Sequence, residues 1–166
     1  MKTRRLEVRR TQKEDADFSL SIWLDEEMGQ FLLDPPREKA GSVYLEWKET
    51  VEIYEGCYYF TAILKDSGAY IGTCSAIPNK EKTVWDIGYA IHKHYWKQGF
   101  GTEMVVALIT FCQKNGGKRI VATVAKENVA SNMLLRKLGF QMISQGSFQK
   151  CHTDIIYDDY TYALDM

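Results

Sequence analysis

The run Tyr95-Trp-Lys-Gln-Gly-Phe-Gly-Thr-Glu103 places Gly99 and Gly101 between a stretch of strand character, Thr83 to Ile91, and the longest stretch of helical character, Thr102 to Lys114. Glycines in so short a connection let the backbone turn sharply and approach a ligand closely. A helix starting there directs its free N–H groups and the positive end of its dipole at whatever lies in front of it. Strand, glycine turn and helix in that order demand a mixed architecture of helices on a sheet. They also offer a site for phosphate or pyrophosphate that needs no basic side chains, with Lys97 and Gln98 on its rim. A P-loop would require G-x-x-x-x-G-K-[ST], which the chain lacks. The dinucleotide fingerprint fits Gly99 and Gly101 but meets Met104 where a third small residue belongs, and it sits in mid-chain rather than after a first strand. For the two glycines taken alone, a turn without any ligand remains the alternative.

Patterning fills in the rest. Leu6-Glu-Val-Arg-Arg10 alternates like a half-buried strand, and Thr11-Gln-Lys-Glu14 reads as a capping box opening a helix with Phe18, Leu20, Ile22 and Trp23. Asp34-Pro-Pro-Arg37 breaks the chain, and a second helix is expected from about Arg37 to Tyr54. Tyr58 to Leu64 and Ala69 to Ile77 read as a hairpin across Lys65-Asp-Ser-Gly68, followed by the strand Thr83 to Ile91. After the long helix, which ends at Asn115-Gly-Gly117, come a strand from Arg119 to Val124 and a helix from Asn128 to Leu138 stopped by Gly139. Two strands follow, around Phe140 to Ile143 and from Ile155 to Leu164. The expected class is α/β or α+β around one mixed sheet. With 166 residues and no repeat or linker, residues 1–166 are expected to form a single domain.

Charge narrows the partners. Lys and Arg total 21 against 22 Asp and Glu, so no global field draws the chain to nucleic acid or an anionic membrane. No apolar run reaches the roughly 18–20 residues that span a bilayer, and the polar start from Met1 to Arg10 lacks the apolar segment of a secretory signal, so a cytoplasmic location is expected. Cys57, Cys74, Cys112 and Cys151 are too dispersed for a zinc or redox motif and read as reduced small hydrophobes; no metal is expected.

Two separated segments carry a resemblance. Gly88-Tyr-Ala-Ile-His-Lys-His-Tyr-Trp-Lys-Gln-Gly-Phe-Gly-Thr-Glu103 and Asn128-Val-Ala-Ser-Asn-Met-Leu-Leu-Arg-Lys-Leu-Gly-Phe140 resemble the GNAT superfamily of N-acetyltransferases, in wording closest to the RimJ/RimL ribosomal-protein acetyltransferase branch. The resemblance implies a GNAT-like fold, one mostly antiparallel central sheet flanked by about four helices, and acetyl-CoA as cosubstrate. By the same comparison Gln98, Gly99, Phe100, Gly101 and Thr102 wrap the pyrophosphate, with Lys97 at the rim. The strand through Tyr89 and Ile91 pairs with the pantetheine arm, an N–H near Ile91 polarises the thioester carbonyl, and Asn128, Ser131 and Arg136 lie along the CoA side. Asn128 touches the pantetheine or caps the following helix.

Acetyl transfer requires a neutral amine, yet a lysine-type amine has a pKa near 10.4 and is mostly protonated at pH 7. Asp86 stands where many relatives carry Glu and is the first candidate for the base; a solvated strand residue is the alternative. Many members place a Tyr seven residues after the motif Asn to protonate the leaving thiolate, but Leu135 occupies that position here, which leaves Ser131 or water for the task. His92 and His94 precede the loop as possible relays or exposed structural residues, and His152 has no role. The acceptor amine, a peptide N-terminus or a small molecule, is expected between the first two helices and the far side of the sheet. Trp23, Met28, Phe31, Tyr44 and Trp47 are candidates there for pocket or core, and Glu46, Glu52 and Glu55 for attraction of a cation or plain solvation. A monomer or homodimer is implied. The competing readings are a CoA or nucleotide sensor of the same fold with catalysis lost and, more distantly, a nicotinamide oxidoreductase.

Overall fold

A computed structural model describes residues 1–166. Seven strands form one sheet in the order β1-β2-β3-β4-β5-β7-β6. They are β1 (Leu6–Arg10), β2 (Tyr58–Leu64), β3 (Tyr70–Pro78), β4 (Val84–Ile91), β5 (Arg119–Ala125), β6 (Gln141–Gln149) and β7 (Ile156–Asp165). Every pairing is antiparallel except that of β4 with β5. Four helices accompany the sheet: α1 (Ala16–Trp23), α2 (Val43–Thr50), α3 (Phe100–Lys114) and α4 (Val129–Lys137). The mixed class, the mostly antiparallel sheet and the four helices agree with the sequence reading.

Side chains alternate across a strand, so each strand feeds two layers. Trp85 and Ile87 of β4 and Phe60 and Ala62 of β2 join Met104, Val105, Leu108 and Cys112 of α3 in the larger core, which also takes in Leu135 of α4. A smaller cluster on the other face gathers Ala16, Leu20, Leu24, Trp47 and Val51 beneath α1 and α2. Each fully buried large aliphatic side chain contributes about 1.5–3 kcal/mol.

Three local expectations shift. The residue that reaches back at the start of the first helical segment is Asp15, not Glu14: its carboxylate accepts the Gln12 N–H at 2.9 Å and a bidentate pair from Arg9. Arg9 of β1, six positions earlier, makes Asp15 the better-compensated acid to bury. The second helix starts at Val43, because Pro36 and Ala40 are extended and only Arg37–Lys39 closes a 3-10 turn between them. Strand β6 runs to Gln149 instead of ending near Ile143. It is an edge strand exposed along nearly its whole length, so Ser144, Gln145 and Ser147 carry no alternating apolar signal.

Candidate functional site

Strands β4 and β5 pair only over Val84–Asp86 with Arg119–Val121. Beyond Asp86 they part: β4 stays on β3 as far as Ile91, while β5 stays on β7 as far as Ala125. The His92 N–H donates to the Ile71 carbonyl, toward β3. Since successive strand residues direct their polar groups to opposite sides, the N–H and C=O of Ile91 and Tyr89 face the opening. The Ile91 carbonyl accepts the Trp96 indole N–H at 2.6 Å, which leaves the Ile91 N–H as the free donor there.

The glycine segment closes one end of this opening. Lys97 and Gly99 both have left-handed backbone, at φ 59 and φ 81, and Gly99 is the N-cap of α3 with no side chain satisfying the first turn. Alternation of this kind turns successive N–H groups toward one concavity, a site suited to an anion. At Gly101 a Cβ would come within 3.0 Å of the Leu134 Cδ1, so glycine there lets α3 and α4 approach. Arg5, just before β1, braces the loop: its Nη1 donates to the Gln98 carbonyl at 3.0 Å, its Nε to Glu103 at 2.8 Å, and its guanidinium lies 4.0 Å over the Phe100 ring. Burial alone would raise the Glu103 pKa, but hydrogen bonds from Thr3, from the Arg5 N–H and from its guanidinium bring it down to about 2, so the brace persists at any physiological pH. No local pattern in the sequence signals a partner 98 positions away.

Loop, opening and α4 together line a groove of about 710 Å³. Of the residues expected along acetyl-CoA, Tyr89, Ile91, Lys97, Gly99, Phe100, Gly101, Thr102, Asn128 and Ser131 line it. Gln98 and Arg136 do not. Gln98 lends its carbonyl to Arg5 and its amide to the His94 carbonyl, and so shapes the loop from behind. Arg136 turns toward the sheet, where its Nε donates to the Tyr162 hydroxyl at 3.1 Å, and Lys137 lines the groove in its place. Asn128 caps α4 by accepting the Ser131 N–H at 3.2 Å. Leu135 is fully buried in the core.

Asp86 lies where β4 and β5 part, on the face opposite α3, in a row with Ile77 of β3 and Val121 of β5. It is outside the groove lining. The protein packed around it pushes its carboxyl above the usual carboxylate range, although the residue is exposed to solvent.

On that same face the acceptor candidates separate. Met28 and Phe31 line the groove, whereas Trp23 and Trp47 pack on one another at 4.6 Å, and Trp47 lies 5.3 Å from Tyr59, as part of the smaller core. Tyr44 donates its hydroxyl to Asp34. Glu46, Glu52 and Glu55 are exposed and do not line the groove, but Glu27, paired with Lys93 at 2.7 Å, does. Burial and then the charges of His94 and Lys93 lower the His92 pKa, and its ring stacks on Phe18 at 6.4 Å. His152 sits in the β6–β7 connection.

Lys150, in that connection, is almost wholly buried and donates to the carbonyls of Gly29 at 2.7 Å and Leu32 at 2.9 Å, pinning the α1–α2 loop that carries Met28 and Phe31. Gly29 admits no side chain, since a Cβ would lie 2.2 Å from the Trp23 carbonyl. Lys150→Met should free both carbonyls and loosen the loop. Charged hydrogen bonds offset by relief of a buried charge leave a net loss on the order of 1–3 kcal/mol. Thermal unfolding should register this as a drop of several degrees, and amide exchange should accelerate over residues 25–36; an unchanged exchange rate would show that the strut is dispensable.

No helix is long and apolar enough to cross a membrane, and no three His, Cys, Asp or Glu side chains are grouped to hold a metal ion. Residues 5–141 match the family model described as Acetyltransferase (GNAT) domain. The chain is 29% identical over 143 residues to an uncharacterized N-acetyltransferase, p20, of Bacillus licheniformis, covering 84% of this chain and 80% of that protein. Its fold superposes on spermidine N-acetyltransferase from Vibrio cholerae, solved with CoA and spermine, with TM-score 0.83, 14% identity and coverage of 97% of this chain and 95% of that one. The Salmonella typhimurium acetyltransferase that modifies the N-terminal serine of ribosomal protein L7/L12 gives TM-score 0.76 at 17% identity, covering 99% and 96% of the two chains.

Proposed function

This chain belongs to the acetyltransferase (GNAT) domain family, and we propose that it transfers an acetyl group from acetyl-CoA to a primary amine by direct attack in a ternary complex. One observation carries the reading: the glycine loop, the free edge of β4 from Tyr89 to Ile91 and the start of α4 line one continuous groove, with Asp86 three residues back along β4 from Tyr89 and outside that lining. The groove fits the cosubstrate, because an anion cradle at the α3 N-terminus and unpaired strand N–H groups answer a pyrophosphate and an amide-bearing arm respectively.

Each residue then has a task. N–H groups from Lys97 to Thr102 bind the pyrophosphate, with Lys97 and Lys137 at the rim. Polar groups of Tyr89 and Ile91 hold the arm, and the Ile91 N–H stabilises negative charge developing on the carbonyl oxygen. Asp86 takes the proton of the incoming amine, directly or through water; its raised pKa places it nearer the proton it must accept. Met28 and Phe31 flank the acceptor, and Glu27 adds a carboxylate that favours a cationic one. The unit is residues 1–166 as one domain, cytoplasmic, a monomer or homodimer.

Thiol release from acetyl-CoA over a panel of polyamines, amino acids and N-terminal peptides tests this directly. Release with at least one acceptor is expected. Tight CoA binding with no release from any acceptor would instead favour the sensor reading, and absence of CoA binding would overturn both.

A further inference from the structure

Five buried side-chain polar atoms have no hydrogen-bond partner, and only one of them, the Tyr89 hydroxyl, belongs to a residue lining the groove. An unmade bond at a buried hydroxyl is costly and calls for a partner that arrives from elsewhere. Tyr89 is on β4, three residues beyond Asp86, so its side chain projects to the face of α3 and α4 while that of Asp86 projects to the face of α1 and α2. The Ser131 side chain of α4 sits beside it and favours the ionised oxygen, as a donor to that oxygen would, and Tyr162 of β7 is a further neighbour, so it is the hydroxyl's own proton that lacks an acceptor. The Tyr162 hydroxyl is already committed, donating to Asn132 at 2.8 Å and accepting from Arg136 at 3.1 Å. The Trp96 indole is committed to the Ile91 carbonyl. Leu135, one helical turn beyond Ser131, presents only hydrocarbon to the same core.

We infer that the Tyr89 hydroxyl is the hydrogen-bond donor that stabilises the departing thiolate, a catalytic role for this side chain that rests on the acetyl-transfer reading above. As the amine nitrogen forms its bond to the acyl carbon, the carbon–sulfur bond breaks and its electron pair goes to sulfur. The amine proton passes to Asp86. The Tyr89 O–H donates to the sulfur without surrendering its proton, and the thiolate is protonated from water after it leaves. Retention follows from acidity: burial pushes the Tyr89 pKa up to about 12, whereas a thiol titrates near 8.5, so full transfer would run uphill. Donor and base therefore sit on opposite faces of one strand, each on the side where its proton is needed.

The full-length protein with CoA alone tests the assignment, since bound thiolate is visible by ultraviolet absorbance as pH is varied and no acceptor is required. A donor poised at sulfur should lower the pKa of bound CoA thiol by about one to two units below its free value. Tyr89→Phe should return it toward that value, with CoA affinity changed less than about threefold and acetyl transfer slowed about ten- to a hundredfold. A ring-fluorinated tyrosine at the same position, a stronger donor of nearly the same shape, should lower the thiol pKa further even if the phenylalanine variant folds poorly. Identical thiol titrations for wild type and both variants, or a shift in Ser131→Ala alone, would overturn the assignment and leave the acetyltransferase reading standing. Failure of the wild type to bind CoA would remove both.

Discussion

Asp86→Asn should slow acetyl transfer by about 10²- to 10⁴-fold, the range for loss of a positioned general base, with CoA affinity unaltered. The separation of the two effects follows from position: Asp86 is the last β4 residue paired with β5, and it is outside the lining of the groove proposed to receive CoA. Stability should move the other way. A carboxyl whose pKa is higher folded than unfolded has its ionisation disfavoured by the fold, so the charge costs stability above the folded pKa, and the cost disappears below the unfolded one. Asparagine removes that cost, and thermal unfolding of the variant at neutral pH should occur at or above the wild-type temperature. Wild-type turnover should fall on acidification through a pKa above the ordinary aspartate value near 3.9, and this acidic limb should vanish in the variant's residual rate. Turnover of the variant within threefold of wild type would exclude Asp86 as the base.

Much of this site was legible along the chain because its parts are local. Gly99 and Gly101 announce the loop, the alternation of Trp85, Ile87 and Tyr89 against Asp86 and Gly88 marks the two faces of β4, and Asn128 announces the α4 cap. Residue type could not separate core from pocket among Trp23, Met28, Phe31, Tyr44 and Trp47, since the same types serve in both. Trp23 and Trp47 pack together while Phe31 reaches the groove, a division set by the course of the α1–α2 loop. That course depends on Lys150, more than a hundred positions away, and a lone lysine in a polar turn carries no mark that it will be buried. Arg5 is invisible for the same reason. Its partners Gln98 and Glu103 become neighbours only once β1 sits beside the start of α3. Orphaned polar atoms such as the Tyr89 hydroxyl are a property of packing alone, and no pattern in the chain anticipates them.

Gly99→Val should weaken CoA binding by about 10- to 100-fold while leaving the sheet intact. Gly99 holds φ 81, which a β-branched residue reaches only with strain of roughly 1–3 kcal/mol, so the loop will shift rather than tolerate it. Space is not the obstacle: a Cβ there meets only the Arg5 Nη2 at 3.5 Å, an ordinary contact. The loss therefore measures backbone geometry. Gly101→Ala supplies the contrast, because Gly101 lies within α3 with no left-handed backbone and its added Cβ presses on the movable end of Leu134 at 3.0 Å; a change of a few-fold is expected. Lys97→Ala likewise should cost only a few-fold and reduce the salt dependence of binding. Calorimetric titration with CoA ranks the three. If Lys97→Ala were the most damaging, side-chain charge would hold the pyrophosphate; if Gly99→Val dominates, as the left-handed turn at the α3 N-terminus requires, the holding is done by N–H groups that only this backbone path can aim at one point.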